Sequence, residues 1–217
     1  MTYTLIIINI IVFLLPILGF DEEMIYEFGV NYGPYVVLGD EIYRLFTSMF
    51  MHANTMHLVM NMLALYLLGQ SVEPLFPKLH YLLLYFISGL FGGLVSIYFH
   101  LDTPGLGASG AVFGLFGVLI GFAILHRDYM GAEFKAFIKQ IAIILGINLA
   151  FGLAVPNVDL SAHIAGLIVG FIGGLVVGKN REYIWIFTLV MLLGMGLYFQ
   201  YLQELYVDIT EVLYEQY

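Results

Sequence analysis

The chain has 217 residues, of which 61% are apolar and only 11% are charged. A soluble domain carries roughly 25% charged residues, so this composition predicts a membrane protein whose length is used up by helices. The lack of cysteine excludes a disulfide framework, a thiolate metal site and a cysteine nucleophile.

Apolar segments recur along the whole chain. A spanning helix needs about 20 apolar residues to cross about 30 Å of hydrocarbon. Seven segments meet or approach this length: residues 3–20, 56–71, 81–100, 106–126, 137–155, 160–178 and 183–202. Because the alternating pattern of barrel strands is missing, we predict an all-α membrane protein, a polytopic bundle of seven transmembrane helices. We interpret the first segment as a retained helix, since no basic residue precedes it.

The charges are distributed unequally between the loops. Six of the seven lysines and arginines fall in the second, fourth and sixth loops, and only Arg44 lies on the other side. Basic loops stay in the cytoplasm, so we predict a multi-pass protein of a prokaryotic cell membrane, with a cytoplasmic N-terminus and an outer C-terminus. The acidic residues favour the outer side: Asp21, Glu22, Glu23, Glu27, Asp40, Glu41, Asp102, Asp159, Glu204, Asp208, Glu211 and Glu215.

The first loop, residues 21–55, is the longest and is rich in apolar and aromatic side chains. Aromatic rings with a polar tip suit the interface between lipid and water. We therefore expect this loop to lie against the outer leaflet.

Four polar side chains fall near the outer ends of three predicted helices. Ser109 begins the segment 106–126, His163 lies just inside the segment 160–178, and His57 and Asn61 share one face of a third helix. Polar groups in spanning helices are costly and by default indicate function. Their common depth predicts a single site.

Small residues at helical spacing predict that two of these helices pack closely. They are Gly107, Gly110, Gly114, Gly117 and Gly121 in one segment and Ala162, Gly166, Gly170, Gly174 and Gly178 in the other. Small faces let membrane helices meet backbone to backbone. This contact would bring Ser109 and His163 within hydrogen-bond reach, as a nucleophile and its base require. His57, Asn61 and the Ser109 N–H could then hold an oxyanion.

Each polar residue also has a structural interpretation. A serine near a helix end commonly bonds back to its own helix. Asp159 could orient His163, but capping of the helix N-terminus already explains a carboxylate there. We expect His52 to be a local structural group and Asn148 to form a hydrogen bond between helices.

Three motifs together resemble the rhomboid family of intramembrane serine proteases. Residues 107–110 (GASG) are similar to the family's GxSG, residues 162–166 (AHIAG) to its AHxxG, and residues 57–61 (HLVMN) to its HxxxN. The stretch 44–52 is similar to the segment that precedes the HxxxN helix. Their order also agrees, so the resemblance covers about residues 40–180.

The resemblance implies a catalytic dyad without a carboxylate. Ser109 would attack the peptide bond and His163 would be the base. His57, Asn61 and the backbone around Gly107 would form the oxyanion hole. The resemblance also implies a water-accessible cavity that opens outward and a lateral gate near the segments 137–155 and 56–71.

The chain departs from the family pattern in three places. Tyr43-Arg44 stands where the family often has Trp-Arg, and Phe113, which has no hydroxyl, stands where a ring commonly stacks on the catalytic histidine. The third departure is the seventh helix, residues 183–202, which lies beyond the core. We therefore divide the chain into a rhomboid-like six-helix core, residues 1–182 including the loop 21–55, and an extra C-terminal helix with an acidic tail, residues 183–217.

The predicted function is an intramembrane serine endopeptidase that cuts single-span membrane proteins near the outer face of the bilayer. No cofactor, metal or nucleic acid is expected. The alternative is a catalytically inactive rhomboid-like binder or chaperone of membrane proteins, although such relatives tend to lose the serine or the histidine.

Other classes of protein fit the sequence less well. A transporter would need charged or broken helices at the bilayer centre, and the interiors of the predicted helices show no charged pair. A metalloprotease lacks its H-E-x-x-H motif, and Ala111 spoils the G-x-S-x-G elbow of an α/β-hydrolase.

Overall fold

The structure, a computed structural model, describes residues 1–154 and 158–214. Val155, the expected end of the fifth segment, and the acidic residue Glu215 lie outside the described residues. Within the described part the chain is helical, without a β-strand, and an isolated antiparallel bridge joins Asn31 to Gly105. The helices are α1 (Thr2–Leu14), α2 (Glu22–Gly29), α3 (Gly33–Val37), α4 (Arg44–Thr47), α5 (Thr55–Val72), α6 (Lys78–Phe99), α7 (Ser109–Leu125), α8 (Arg127–Met130), α9 (Glu133–Ala154), α10 (Leu160–Lys179) and α11 (Tyr183–Tyr214).

Among the described residues, four helical stretches are long and apolar enough to cross a membrane. They are α5 with the turn that follows it, α6, α10 and residues Tyr183–Ile209 of α11. Two shorter helices, α1 and α7, are also apolar. The all-α polytopic bundle predicted from the composition is therefore present, whereas the count of seven crossings stays a prediction.

Several helices begin or end three or more residues away from the predicted positions, among them α1, α7 and α11. α1 ends at Leu14 instead of residue 20, because Pro16 has no N–H to continue the helix. α7 begins at Ser109 instead of residue 106, because Gly107 has a φ of 124°, outside the helical region. α11 continues to Tyr214, twelve residues beyond the predicted end at residue 202.

α7 and α10 form the most extensive helix pair in the described residues. A Cβ added to Gly166 would collide with the carbonyl oxygen of Gly110, and one added to Gly170 would collide with the carbonyl oxygen of Gly114. The backbones therefore meet directly, as glycine faces permit. Most residues of α7 are buried, so this short helix lies at the centre of the bundle.

The glycines of α7 have different neighbours. A Cβ on Gly114 would strike the side chain of Ser88 on α6, so Gly114 makes room for a third helix. A Cβ on Gly110 would lie 3.5 Å from the carbonyl oxygen of Ala162, which is an ordinary contact. A Cβ on Gly92 of α6 would lie 2.8 Å from that same oxygen. The start of α10 is thus held between α6 and α7.

The loop before α5 folds around a buried arginine. The Arg44 side chain is 2% exposed, and its Nε donates to Glu41 Oε2 at 2.6 Å. Its Nη1 donates to the carbonyl oxygens of Glu27 and Val30, which close the loop over α2. The guanidinium also lies 4.7 Å from the ring centre of Tyr35. A buried arginine needs such partners, since an unpaired buried charge is costly.

α11 packs against α6 and α10 and also contacts α3. The Tyr206 hydroxyl donates to the Leu101 carbonyl oxygen at 2.7 Å. A Cβ on Gly33 would lie 2.9 Å from Cζ of the same tyrosine, so the ring rests on the start of α3. The C-terminal part of α11 therefore contacts the loop between α6 and α7, residues 100–108.

One predicted contact between helices is wrong. Asn148 on α9 donates its amide back to the carbonyl oxygen of Ile144, one turn earlier, at 2.8 Å. The residue is partly buried, and among the described residues its side chain bonds its own helix and not a neighbouring one.

Candidate active site

Ser109 is the first residue of α7 and follows a sharp backbone turn. Gly107 adopts a φ of 124°, which glycine tolerates and other residues rarely adopt. Its N–H donates to the carbonyl oxygen of Ser48 at 2.9 Å, so the turn is tied to the segment before α5. Because Ser109 stands at the helix start, its own backbone N–H has no partner within α7.

The imidazole of His57 lies directly over Gly107. A Cβ on Gly107 would lie 2.9 Å from both Cε1 and Nε2 of His57, and 3.8 Å from Ser109 Oγ. The missing side chain therefore leaves the space that the ring occupies beside the serine. Since the Gly107 N–H is already used by Ser48, the contribution of Gly107 at this point is room and not a hydrogen bond.

His163 lies near the start of α10 and is only 7% exposed. Its ring stacks on Phe113, one turn after Ser109 on α7, with ring centres 4.2 Å apart and planes 6° apart. The Nδ1 atom of His163 is buried and has no hydrogen-bond partner among the described residues. The ring is thus oriented by stacking instead of by a carboxylate.

The side chain of Asp159 caps α10 and does not hydrogen-bond His163 Nδ1. Its Oδ1 accepts the Ala162 N–H at 3.0 Å, which is the usual contact of an N-cap residue. The carboxylate therefore makes the capping contact that its place at the helix N-terminus predicts.

Ser109 and His163, the residues of the expected dyad, lie near the starts of α7 and α10, which pack against each other. Among the described residues no hydrogen bond is formed between their side chains. Catalytic hydrogen bonds are often long before a substrate binds. Asn61, at 6% exposure, donates its amide to the His57 carbonyl oxygen at 3.0 Å, so its nitrogen is engaged with its own helix.

His52 packs against His57 from the loop before α5. The ring centres lie 5.0 Å apart with the planes at 66°. Burial lowers the pKa of His52 to about 4, and the neighbouring His57 acts in the same direction. His52 is therefore neutral at pH 7, and it supports the ring of His57, consistent with the local structural role expected for it.

A cavity of about 40 Å³ adjoins Ser109. Its polar side chains come from four different parts of the chain: Asn31, Ser48, Ser96 and Asp159. A water molecule needs about 10–15 Å³ measured in this way, together with two to four polar partners. The cavity beside the serine is thus large and polar enough to hold water.

Sequence reasoning missed two of these cavity residues. Asn31 exchanges backbone hydrogen bonds with Gly105 and donates its amide to the carbonyl oxygen of Gly93 at 2.8 Å. Ser96 lies on the cavity side of α6 and donates to Asp159. Ser96 could have been found from the sequence, because a serine inside an apolar segment is a candidate polar contact. No local pattern, in contrast, indicates that Asn31 reaches α6.

The fold and site together define a polytopic membrane protein with a serine and a histidine near the starts of two tightly packed helices. The rhomboid domain family matches residues 39–180, which include every motif residue of the site. The chain belongs to the rhomboid family and is an integral, multi-pass membrane protein.

Several curated proteins are similar to this chain. Rhomboid protease GluP of Bacillus subtilis is 36% identical over 187 residues, covering 83% of this chain and 35% of that protein. RHOMBOID-like protein 1 of Arabidopsis thaliana is 37% identical over 168 residues, 77% of this chain and 43% of the relative. The putative rhomboid protease YdcA of Bacillus subtilis is 31% identical over 155 residues, covering 71% of this chain and 75% of that protein. The chain spans between a third and a half of the length of the first two relatives.

Proposed function

We propose that this chain is an intramembrane serine endopeptidase that cleaves the transmembrane segments of single-span membrane proteins near the outer face. The observation that carries the proposal is that Ser109 and His163 lie near the starts of two helices whose backbones touch. Backbone-to-backbone contact of α7 and α10 brings the two residues to the same end of the bundle, and Phe113 holds the imidazole by stacking. The family of the chain includes proteins named as proteases, which supports this reaction class.

The reaction follows from the positions of these groups. Ser109 Oγ attacks the carbonyl carbon of the scissile peptide bond while His163 accepts the serine proton. His163 then gives that proton to the leaving amine, and an acyl-enzyme forms. Water from the adjoining cavity attacks the ester and loses a proton to His163. His163 gives that proton to Ser109 Oγ as the bond to the acyl group breaks, which releases the new carboxyl end and restores the serine hydroxyl and the neutral imidazole.

The oxyanion needs donors close to Ser109. We assign this role to the ring of His57, which lies beside Gly107, and to the backbone N–H of Ser109. Asn61 contributes through its second amide hydrogen or by releasing the His57 carbonyl oxygen when a substrate is present. Gly107 contributes the space in which the His57 ring lies.

The proposed topology places this chemistry at the outer side of a prokaryotic cell membrane. Seven helices cross the bilayer, the N-terminus is cytoplasmic, and residues 1–182 form the core to which α11 and its acidic tail are added. The loop 21–55 lies against the outer leaflet. A substrate helix enters from the lipid between α9 and α5, where many side chains of α9 are exposed.

A serine-directed probe tests this proposal in proteoliposomes. A fluorophosphonate is expected to label Ser109 with loss of fluoride, and His163→Ala is expected to abolish labelling, because the base that activates the hydroxyl is gone. In the same vesicles, a tagged single-span substrate is expected to be cut near its outer end. A chain that binds the substrate without cutting it or reacting with the probe would instead be the inactive binder.

The stacked ring of Phe113 makes a separate prediction. Phe113→Leu keeps most of the apolar volume but removes the aromatic face, and a ring pair contributes about 0.5–1.5 kcal/mol. We expect kcat/KM to fall roughly three- to tenfold. Phe113→Tyr, which keeps the ring, is the control and should stay within about twofold of the wild type. Equal rates for the leucine and tyrosine variants would show that stacking does not matter.

A further inference from the structure

The carboxylate of Asp159 connects the start of α10 to α6. Oδ1 accepts the Ala162 N–H at 3.0 Å and the Ser161 hydroxyl at 2.5 Å, both within α10. Oδ2 accepts the hydroxyl of Ser96, which lies on α6. His100, just after α6, places Nε2 3.4 Å from Oδ1. The Asp159 side chain thus joins α10 to α6 through a partner that lies 63 residues earlier in the chain.

The same residue holds the backbone of His163. The carbonyl oxygen of Asp159 accepts the His163 N–H at 3.3 Å. Among the described residues His163 Nδ1 has no hydrogen-bond partner that would fix the ring along α10. The position of the imidazole on Phe113 therefore depends on where the first turn of α10 lies, and Asp159 is hydrogen-bonded to that turn.

The helix that precedes this turn in the chain is loosely held. α9 has few neighbours, and Ile143, Ile147 and Leu153 are each more than half exposed. α9 still contacts the next segment, since a Cβ on Gly152 would lie 2.8 Å from the side chain of Leu160. Movement of α9 would reach His163 through this connection unless the start of α10 were anchored elsewhere.

We propose that Asp159 is a positioning residue, whose link to Ser96 anchors the first turn of α10 to α6 and keeps His163 aligned with Ser109 while α9 moves. This inference rests on the proposed function, because alignment matters only if the two residues react together. Asp159 does not touch the substrate or the reacting atoms. Its effect on the reaction passes through the position of His163.

The charge of Asp159 supports an anchor that is formed at neutral pH. Burial raises the pKa of this carboxyl group, but hydrogen bonds from Ser161, Ser96 and the Ala162 N–H outweigh burial and hold the pKa below its ordinary value. The charged form is therefore favoured in the folded protein. Its stabilisation is present above the ordinary pKa of about 3.9 and is lost as the pH falls through the lowered value.

Two variants break the link from its opposite ends. Asp159→Ser keeps a good N-cap residue but is too short to reach α6, and Ser96→Ala leaves the cap intact. Each is expected to lower kcat roughly 10- to 100-fold with little change in KM, because a small misplacement of a catalytic group has effects of this size. The double variant should be no slower than the slower single variant, since both remove one interaction.

Ser161→Ala is the matched control, because Ser161 also donates to Asp159 but stays within α10. It should remain within about twofold of the wild type. Wild-type kcat in Ser96→Ala and Asp159→Ser, or losses that add in the double variant, would overturn the proposal.

Hydrogen exchange at the His163 amide separates this inference from the proposed function. Exchange is expected to be faster in Asp159→Ser and Ser96→Ala than in the wild type, whether or not the protein cleaves a substrate. If the wild type neither cleaves nor labels while exchange rises in both variants, the anchor stands and the proposed activity fails. Unchanged exchange in both variants, with an active wild type, rejects the anchor alone.

Discussion

Ser109→Ala is expected to lower kcat/KM for a tagged single-span substrate by roughly 10⁴-fold or more, because no other group can form the acyl-enzyme. The substitution removes one oxygen at the first position of α7, where the hydroxyl makes no hydrogen bond that the helix needs. The fold should therefore be unaffected. Initial rates in proteoliposomes, at substrate concentrations well below KM, measure the loss.

His163→Ala should produce a loss of similar size, and the double variant should be no slower than either single one, because nucleophile and base act as a unit. Ser71→Ala is the control: this serine lies in a spanning helix and only donates to the Leu67 carbonyl oxygen. It should cleave at the wild-type rate. A Ser109→Ala protein that keeps a tenth of the wild-type rate would remove Ser109 from the mechanism.

Gly170→Ala is expected to reduce both stability and activity. The new Cβ would collide with the carbonyl oxygen of Gly114 and lie 2.8 Å from its Cα. Backbone atoms cannot turn aside as a flexible side chain can, so α7 and α10 must separate. Overpacking of this kind costs about 1–3 kcal/mol, and we expect the upper end of that range. Because Ser109 and His163 lie on these two helices, their alignment should be lost as well.

Gly194→Ala on α11 is the matched control, since an added Cβ there meets nothing within 4 Å. Unfolding by detergent titration should give a free energy of unfolding close to the wild type for this variant and a clearly lower one for Gly170→Ala. Equal stability of the two variants would mean that the α7–α10 contact is looser than the structure shows.

The sequence was sufficient for the parts of the site that depend on periodic spacing. Glycines three or four residues apart predicted which faces of α7 and α10 meet, and the polar residues at the helix starts predicted that Ser109 and His163 share one end. Both follow from the regular geometry of a helix, which fixes the direction of each side chain from its position.

The parts that escaped prediction depend on contacts between distant segments. The Asn31 amide bonds a residue 62 positions away, and the Tyr206 hydroxyl one 105 positions away. No periodic pattern encodes such a pairing. Pro16 could have predicted the early end of α1. The predicted segment extends to residue 20 because hydropathy alone includes the apolar residues after the proline.

The length of α11 links the site to the thickness of the bilayer. Its apolar stretch of 27 residues measures about 40 Å, whereas the hydrocarbon layer is about 30 Å thick, so the helix must tilt or extend beyond the layer. A thinner or thicker membrane changes that tilt. Tyr206 belongs to this helix and donates to Leu101, seven residues before Ala108, the N-cap of α7. With α11 crossing the bilayer as proposed, lipid chain length becomes a variable that acts on the position of Ser109.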